Sequence, residues 1–419
     1  MNYELNHLSN GARFLHIPRP DAPSVTALVL FGVGSRYETS KTNGLSHFLE
    51  HMFFKGTKKR PTAQMISETI DGVGGEMNAF TSKEYTGYYI KVAARHGALA
   101  TEVLSDMLHN ALFDQDEINR ERGVIIQEIG MYEDQPMVYA GELFEERLFG
   151  ATAMGRQVIG TRANIKQFSR ADFIKHRDTF YTAENMVVVL AGNTKTALPE
   201  IQNYFDHFRS GSVSKAKHDV VKSSQRFTMH VKKTEQTHLW FGFPGVSLRD
   251  ENRFALRVLG AILGGGMSSR LFMSVRERRG LAYYVRCSTE FYTDTGFIAA
   301  SAGVGPDKFE EASATILAEF KRIKDEAVPE GELSKAKEYI KGKLLLNLEG
   351  SDDLAEFYGL QSVLQSELLM PVDIGQRIDA VSSADVQRVA RQYLINDNLK
   401  AAIISANDYS PWLNKELKV

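Results

Sequence analysis

The chain repeats itself, and that constrains its fold more than any other feature. Ser169-Arg170-Ala171-Asp172-Phe173 returns as Ser382-Ser383-Ala384-Asp385-Val386, 213 residues later. Each copy opens a helical pattern and then reaches an aromatic (Phe180, Tyr393), an asparagine (Asn185, Asn398) and an apolar strand-like run, Val187 to Leu190 or Ala401 to Ile404. Phe113-Asp114-Gln115-Asp116-Glu117 and Val328-Pro329-Glu330-Gly331-Glu332 each open a long helix. Thr26 to Gly32 pairs with Thr237 to Gly242, and Tyr85-Thr86-Gly87-Tyr88 with Asp294-Thr295-Gly296-Phe297. Agreement in element order over almost a whole half-chain is what a duplicated unit produces. Each half reads as strands and helices joined by short, antiparallel-type connections. The expected fold class is therefore α+β: two homologous domains, each a mostly antiparallel sheet packed with helices, related by internal duplication.

The length agrees, since 419 residues suit two domains of about 200 each. Arg209-Ser210-Gly211-Ser212-Val213-Ser214-Lys215 is polar and small enough for a linker. We divide the chain into a catalytic domain at 1–211, a linker at 212–225 and a homologous domain at 226–419. Hydrophobic residues make up 43% and charged residues 24%, as in folded globular proteins. A net charge of −2 gives no global attraction to nucleic acid or an anionic membrane. The longest apolar run, Met186 to Ala191, is strand-sized and far short of the roughly 18 residues of a membrane span. Met1 to Gly11 shows no cationic patch and no apolar signal region, so a cytoplasmic protein is expected. Cys287 is the sole cysteine, which excludes an internal disulfide and any multi-cysteine metal site within one chain. A metal would have to be held by His, Asp or Glu. Gly264-Gly265-Gly266 lacks the spacings of phosphate-binding loops, so no nucleotide site is expected.

His47-Phe48-Leu49-Glu50-His51 lies in a helical pattern that Thr42 or Asn43 could cap and Gly56 could end. His47 and His51 are four apart, so both imidazoles leave one helix face and can grip one ion. Glu50 sits at the edge of that face, able to reach a metal-bound water without being a ligand. This reverses the order of the H-E-x-x-H motif and meets the same physical requirements. Two surface histidines on an amphipathic helix would give the same pattern.

A third ligand is expected from the helix that opens at Asp114, where Asp114 and Glu117 form a capping pattern and Pro136 follows the end. Glu121 and Glu128 are seven apart on it, two turns along one face. Glu128 lies among Val124, Ile125, Ile126 and Ile129, where a carboxylate drawn into apolar surroundings needs a cationic partner. In the second half, Ala336 stands opposite Glu121, Lys343 opposite Glu128, and the glycine run opposite the histidine motif. One half keeps the metal-binding groups and the other keeps only the fold pattern.

The sequence resembles the pitrilysin/insulinase family of zinc peptidases, in the two-domain branch that includes the mitochondrial processing peptidase β subunit and its bacterial relatives. The resemblance spans nearly the whole chain. It rests on Gly44-Leu45-Ser46-His47-Phe48-Leu49-Glu50-His51-Met52-Phe53-Phe54-Lys55-Gly56-Thr57, Asn78-Ala79-Phe80-Thr81, Glu121 through Glu128, and Arg276-Glu277-Arg278-Arg279-Gly280-Leu281-Ala282-Tyr283.

The resemblance implies a zinc metallo-endopeptidase with His47, His51 and Glu128 as Zn2+ ligands, Glu50 as general base and Glu121 as a supporting acid. It implies that Asn78 and Ala79 lie on an edge strand where substrate backbone docks, and that Arg276 and Tyr283 contact the substrate carbonyl. Taken alone, Arg276 to Arg279 is only a basic helix end. The implied substrates are peptides or unfolded segments admitted to the chamber of a homodimer with a composite active site. Pairing with a different subunit, in a dedicated peptide-maturation protease, is compatible with the same residues. A non-catalytic assembly or scaffold subunit of the same fold is the alternative from another class.

Overall fold

The computed structural model describes residues 3–214, 225–365 and 367–419. Most of the linker expected at 212–225 therefore lies outside the described residues.

The strands are β1 (Glu4–His7), β2 (Arg13–Pro18), β3 (Ser24–Phe31), β4 (Glu76–Thr81), β5 (Thr86–Ala93), β6 (Met186–Gly192), β7 (Phe227–Val231), β8 (Thr237–Pro244), β9 (Ala282–Phe291), β10 (Gly296–Val304) and β11 (Lys400–Ser405). The helices begin with α1 (Leu45–Met52), α2 (Ala63–Asp71), α3 (Gly97–Asn110), α4 (Gln115–Glu133) and α5 (Pro136–Phe149). They continue with α6 (Arg162–Gln167), α7 (Arg170–Phe180), α8 (Ile201–Phe205), α9 (Asn252–Gly264) and α10 (Phe309–Asp325). The last are α11 (Glu330–Leu346), α12 (Ser351–Leu364), α13 (Pro371–Asp379), α14 (Ser383–Tyr393) and α15 (Ser410–Glu416).

One sheet has the order β1-β2-β6-β3-β5-β4 and the other β7-β11-β8-β10-β9. Among the described residues, only β2–β6 in the first and β7–β11 in the second pair in parallel; every other ladder is antiparallel. Leaving out β1, the two orders and the two parallel pairs correspond strand for strand. The α+β class and the duplication are both present. Inner strands β6 and β10 are buried along their whole length, which explains their continuous apolar runs.

The repeated Ser-x-x-Asp is a capping box in both copies. Ser169 N–H and Oγ–H donate to Asp172 Oδ2 at 2.8 and 2.7 Å, ahead of α7. Ser382 donates to Asp385 Oδ2 at 3.0 and 2.6 Å, ahead of α14. Each satisfies amides that a helix start leaves unpaired.

Compact packing divides the chain into one unit of Met1–Gly130, Arg156–Lys217 and Leu346–Leu368, and another of Met131–Gly155, His218–Leu345 and Leu369–Val419. The first thus takes α12 from the second half of the sequence. Ser351 Oγ lies 2.8 Å from Thr26 Oγ1 on β3, and Lys91 on β5 pairs with Asp352 at 2.8 Å. The second unit takes α5 from the first half. Phe144 on α5 stacks on Trp240 of β8 with ring centroids 5.4 Å apart, and meets Phe297 of β10 edge-on. Each sheet is covered by a helix from the opposite half.

Candidate metal centre and active site

Helix α1 forms because Leu45, Phe48, Leu49 and Met52, at helical spacing, are all buried on one face. His47 and His51 leave the other face one turn apart, with ring centroids 4.7 Å apart. The expected cap at Thr42 or Asn43 is not the one found. Gly44 holds the position before the helix at φ +98°, where a Cβ would fall 2.7 Å from the Ile159 carbonyl oxygen. The amides are satisfied from a distance instead. Glu38 Oε2 accepts from Gly44 N–H at 2.8 Å and Oε1 from Ser46 N–H at 2.6 Å.

Helix α4 brings the acids. Asp114 Oδ1 accepts from Asp116 and Glu117 N–H at 2.9 and 3.2 Å, the cap read from the sequence. Glu128 is partly exposed rather than enclosed, because Ile125 and Ile129 turn inward while Val124 turns outward. Burial still pushes its carboxyl above the usual carboxylate range, with His51 opposing.

His47, His51 and Glu128 each offer a ligand atom, all within 4.8 Å of one another. His47 Nε2 is 3.8 Å from Glu128 Oε1, and His51 Nε2 is 3.7 Å from Glu128 Oε2. These separations are too long for hydrogen bonds. Two donors about 2 Å from one tetrahedral ion stand roughly 3.3 Å apart, so little adjustment would close the set on a cation. Two imidazoles and one carboxylate also form a donor set suited to zinc with a position left open.

The two imidazoles differ in protonation. His51 Nδ1 is 2.8 Å from Glu121 Oε1. An ionised carboxylate can only accept, so Nδ1 carries a proton, and in the neutral ring Nε2 holds the lone pair on the Glu128 side. Burial lowers the His51 pKa, but the Glu121 hydrogen bond and the nearby Glu50, Glu121 and Glu128 carboxylates raise it overall. His47 is pushed down to about 3 by burial and by His51, which leaves it neutral. Its buried Nδ1 has no hydrogen-bond partner among the described residues. Lys55, one turn beyond His51, reaches Glu121 Oε2 at 2.6 Å. Together Lys55 and His51 overcome the burial that would raise Glu121, and its carboxyl lies below the usual range. No role was read for Lys55 in the sequence, although its spacing of four from His51 placed it on the same face.

Glu50 is buried beside this cluster and is not among the three converging groups. Thr81, the last residue of β4, donates its hydroxyl to Glu50 Oε2. Burial raises the Glu50 pKa, with that bond and His51 opposing. Strand β4 carries Asn78 and Ala79 and is one of the two edge strands of its sheet among the described residues. Asn78 is exposed, and its Oδ1 accepts from Ala79 N–H at 2.9 Å.

Arg276 and Tyr283 belong to the other compact unit and are described with it. Arg276 lies in a π-helical turn, Phe272–Glu277, with its guanidinium carbon 5.1 Å from the Phe272 ring centroid. Tyr283 is 64% exposed near the start of edge strand β9. In that unit α11 carries Ala336 and Lys343, and none of its described residues forms a three-ligand cluster like that of the first.

The insulinase (peptidase family M16) model matches residues 13–162, and the peptidase M16 inactive-domain model matches residues 167–340. An uncharacterized zinc protease of Bacillus subtilis is 35% identical over 403 residues, covering 96% of this chain and 98% of that protein. The chain belongs to the M16 peptidase family. A second uncharacterized zinc protease, from Streptomyces coelicolor, is 36% identical, covering 92% of this chain and 86% of its own. Among solved structures, a Helicobacter pylori protease superposes with a TM-score of 0.90 at 22% identity, covering 96% of this chain and 99% of that one. An M16 inactive domain from Pseudomonas fluorescens gives 0.89 at 17% identity, with 97% and 98% covered. At these identities the two likenesses are of fold. Membership in the family supports a peptidase.

Proposed function

We propose that the protein is a zinc-dependent endopeptidase acting on peptides or unfolded segments. The observation that carries this is the convergence of His47, His51 and Glu128 within 4.8 Å, with Glu50 held beside them by Thr81. Zinc on these ligands would supply an acidified water and polarise the scissile carbonyl. Glu50 takes the proton of the attacking water and passes it to the leaving amine, a task suited to a carboxyl whose pKa burial has raised. Glu121 keeps His51 in the tautomer that presents Nε2. Substrate backbone adds to the free edge of β4 alongside Asn78 and Ala79. Arg276 and Tyr283 bind the substrate carbonyl, and Tyr283 stabilises the oxyanion.

The same reading assigns metal chemistry to residues 1–211 and the Arg/Tyr pair to residues 226–419. A homodimer with composite sites follows from the resemblance, and a heterodimer would use the same groups. Metal analysis and cleavage of a quenched peptide library, with and without chelator, test the reading. Zinc near one equivalent and chelator-sensitive cleavage support it; a metal-free, inactive chain would indicate the scaffold alternative.

A further inference from the structure

The amides that open α1 are held by a side chain from outside the helix, and that side chain is tied to the strand that holds the base. We propose that Glu38 is a positioning residue for the metal centre, fixing the pitch and depth of α1 so that His47, Glu50 and His51 share one working geometry. This rests on the metallopeptidase reading and names a residue that reading does not use.

Glu38 is buried, with 4% of its surface exposed. Both carboxylate oxygens are committed. Besides Gly44 and Ser46 N–H, Oε2 accepts from Asn43 Nδ2 at 3.2 Å. A buried carboxylate at a helix start meets unpaired amides and the positive end of the helix dipole, so it is both solvated and directional. Gly44 has no side chain to do this work, and Thr42 contributes its carbonyl oxygen to Leu45 N–H at 3.0 Å.

The segment carrying Glu38 is itself fixed. Ser35 and Arg36 N–H donate to the Ser82 and Lys83 carbonyls at 3.2 and 2.8 Å, in the turn between β4 and β5. Gly34 lies so close to this turn that a Cβ would fall 2.1 Å from Ser82 oxygen. Arg156 Nη2 donates to the Glu38 carbonyl. Thr81, next to Ser82, donates to Glu50. The connections close a ring: Glu38 to the start of α1, α1 to Glu50, Glu50 to Thr81, and the β4–β5 turn back to the Glu38 segment. The metal-binding face and the strand proposed to dock substrate are thus referenced to each other through Glu38. Eight residues of helix are too few to be rigid alone, so an external fixing point has consequences for ligand geometry.

The test substitutes Glu38→Gln, which keeps shape but has one acceptor oxygen for two backbone amides, and Glu38→Asp, which keeps both oxygens but is one methylene short. Ser382→Ala, which removes the cap of α14 in the other unit, is the stability-matched comparison. Three quantities are read: divalent-metal affinity by chelator competition, the visible spectrum of the cobalt-substituted protein, and kcat and KM separately. Both Glu38 variants should lose about 10-fold in metal affinity, within the range for groups that orient ligands. They should also alter the cobalt spectrum and lower kcat with KM unchanged, while Ser382→Ala changes none of these. Wild-type affinity and spectrum in a folded Glu38→Gln or Glu38→Asp protein would overturn the proposal. So would equal losses in Ser382→Ala at a matched melting temperature. If one Glu38 variant fails to fold, the other decides. A wild-type chain that binds metal but cleaves nothing would remove the peptidase reading and leave the positioning test standing.

Discussion

His51 Nδ1 and Glu121 Oε1 lie 2.8 Å apart, and this contact settles which nitrogen of His51 faces Glu128. The two glutamates of α4 are therefore placed differently, although both lie on one face of the helix. Glu128→Gln should remove a ligand and nearly abolish metal binding. Glu121→Gln leaves the ligands in place and should cost about 10–100-fold in affinity. Chelator competition on the two variants measures the difference; equal affinities would reverse the assignment.

Glu50→Gln should retain zinc and lose hydrolysis by about 100-fold or more, the usual contribution of a general base. Glutamine can still accept the Thr81 hydroxyl, so the local packing is preserved. Metal content and peptide turnover measured on one preparation check both halves of the expectation. Appreciable turnover by a zinc-loaded variant would remove Glu50 from its role.

The composite-site proposal has its own signature. Glu50→Gln and Tyr283→Phe should each be nearly inactive as homodimers. If Tyr283 serves the zinc of the other protomer, a mixed dimer collects both defects in one site and none in the other. Random co-assembly should then recover about a quarter of wild-type activity. Purifying doubly tagged dimers after co-expression checks this, and an inactive mixed dimer would show that each chain supplies its own pair.

His176 should make stability depend on pH. It is buried, its Nε2 is 3.1 Å from Ser46 Oγ, and burial pushes its pKa down to about 4 from 6.5. Between pH 6.5 and 4 the unfolded chain takes up a proton that the folded chain refuses. The stabilisation is thus complete above pH 6.5, falls by roughly 3 kcal/mol as pH drops toward 4, and levels off once the folded state also protonates. His176→Gln should make the segment between 6.5 and 4 less steep, leaving the slope due to buried His47, which is pushed down to about 3. Urea unfolding across that range, comparing the variant with wild type, measures it.

Much of the candidate site's geometry was legible because it is local. The four-residue spacing of His47 and His51, the offset of Glu50 and the seven-residue spacing of Glu121 and Glu128 are helix geometry written directly in sequence. The duplication was equally visible, since Ser169 and Asp172 recur as Ser382 and Asp385 in the same capping role. What stayed hidden depends on tertiary contact. Thr42 and Asn43 are good caps by composition, but Gly44 adopts a left-handed conformation and Glu38, six residues earlier, takes the amides. Lys55 and Thr81 acquire meaning only when α4 and β4 are folded against α1. The parallel pairing of β2 with β6 joins segments some 170 residues apart and leaves no local trace.

The exchange of α5 and α12 between the two sheets bears on how the chain is made. The first sheet gets the helix bearing Ser351 and Asp352 only after most of the polypeptide has been synthesised. During translation the first half must wait on the ribosome with one sheet face uncovered, where chaperones and proteases can reach it. A polypeptide ending near residue 214 would lack that cover and carry an orphaned α5 whose apolar side chains belong to a sheet not yet made. Gene fission at the repeat boundary would therefore leave each fragment without the helix that covers its sheet. The duplicated arms are bound to one reading frame by two helices.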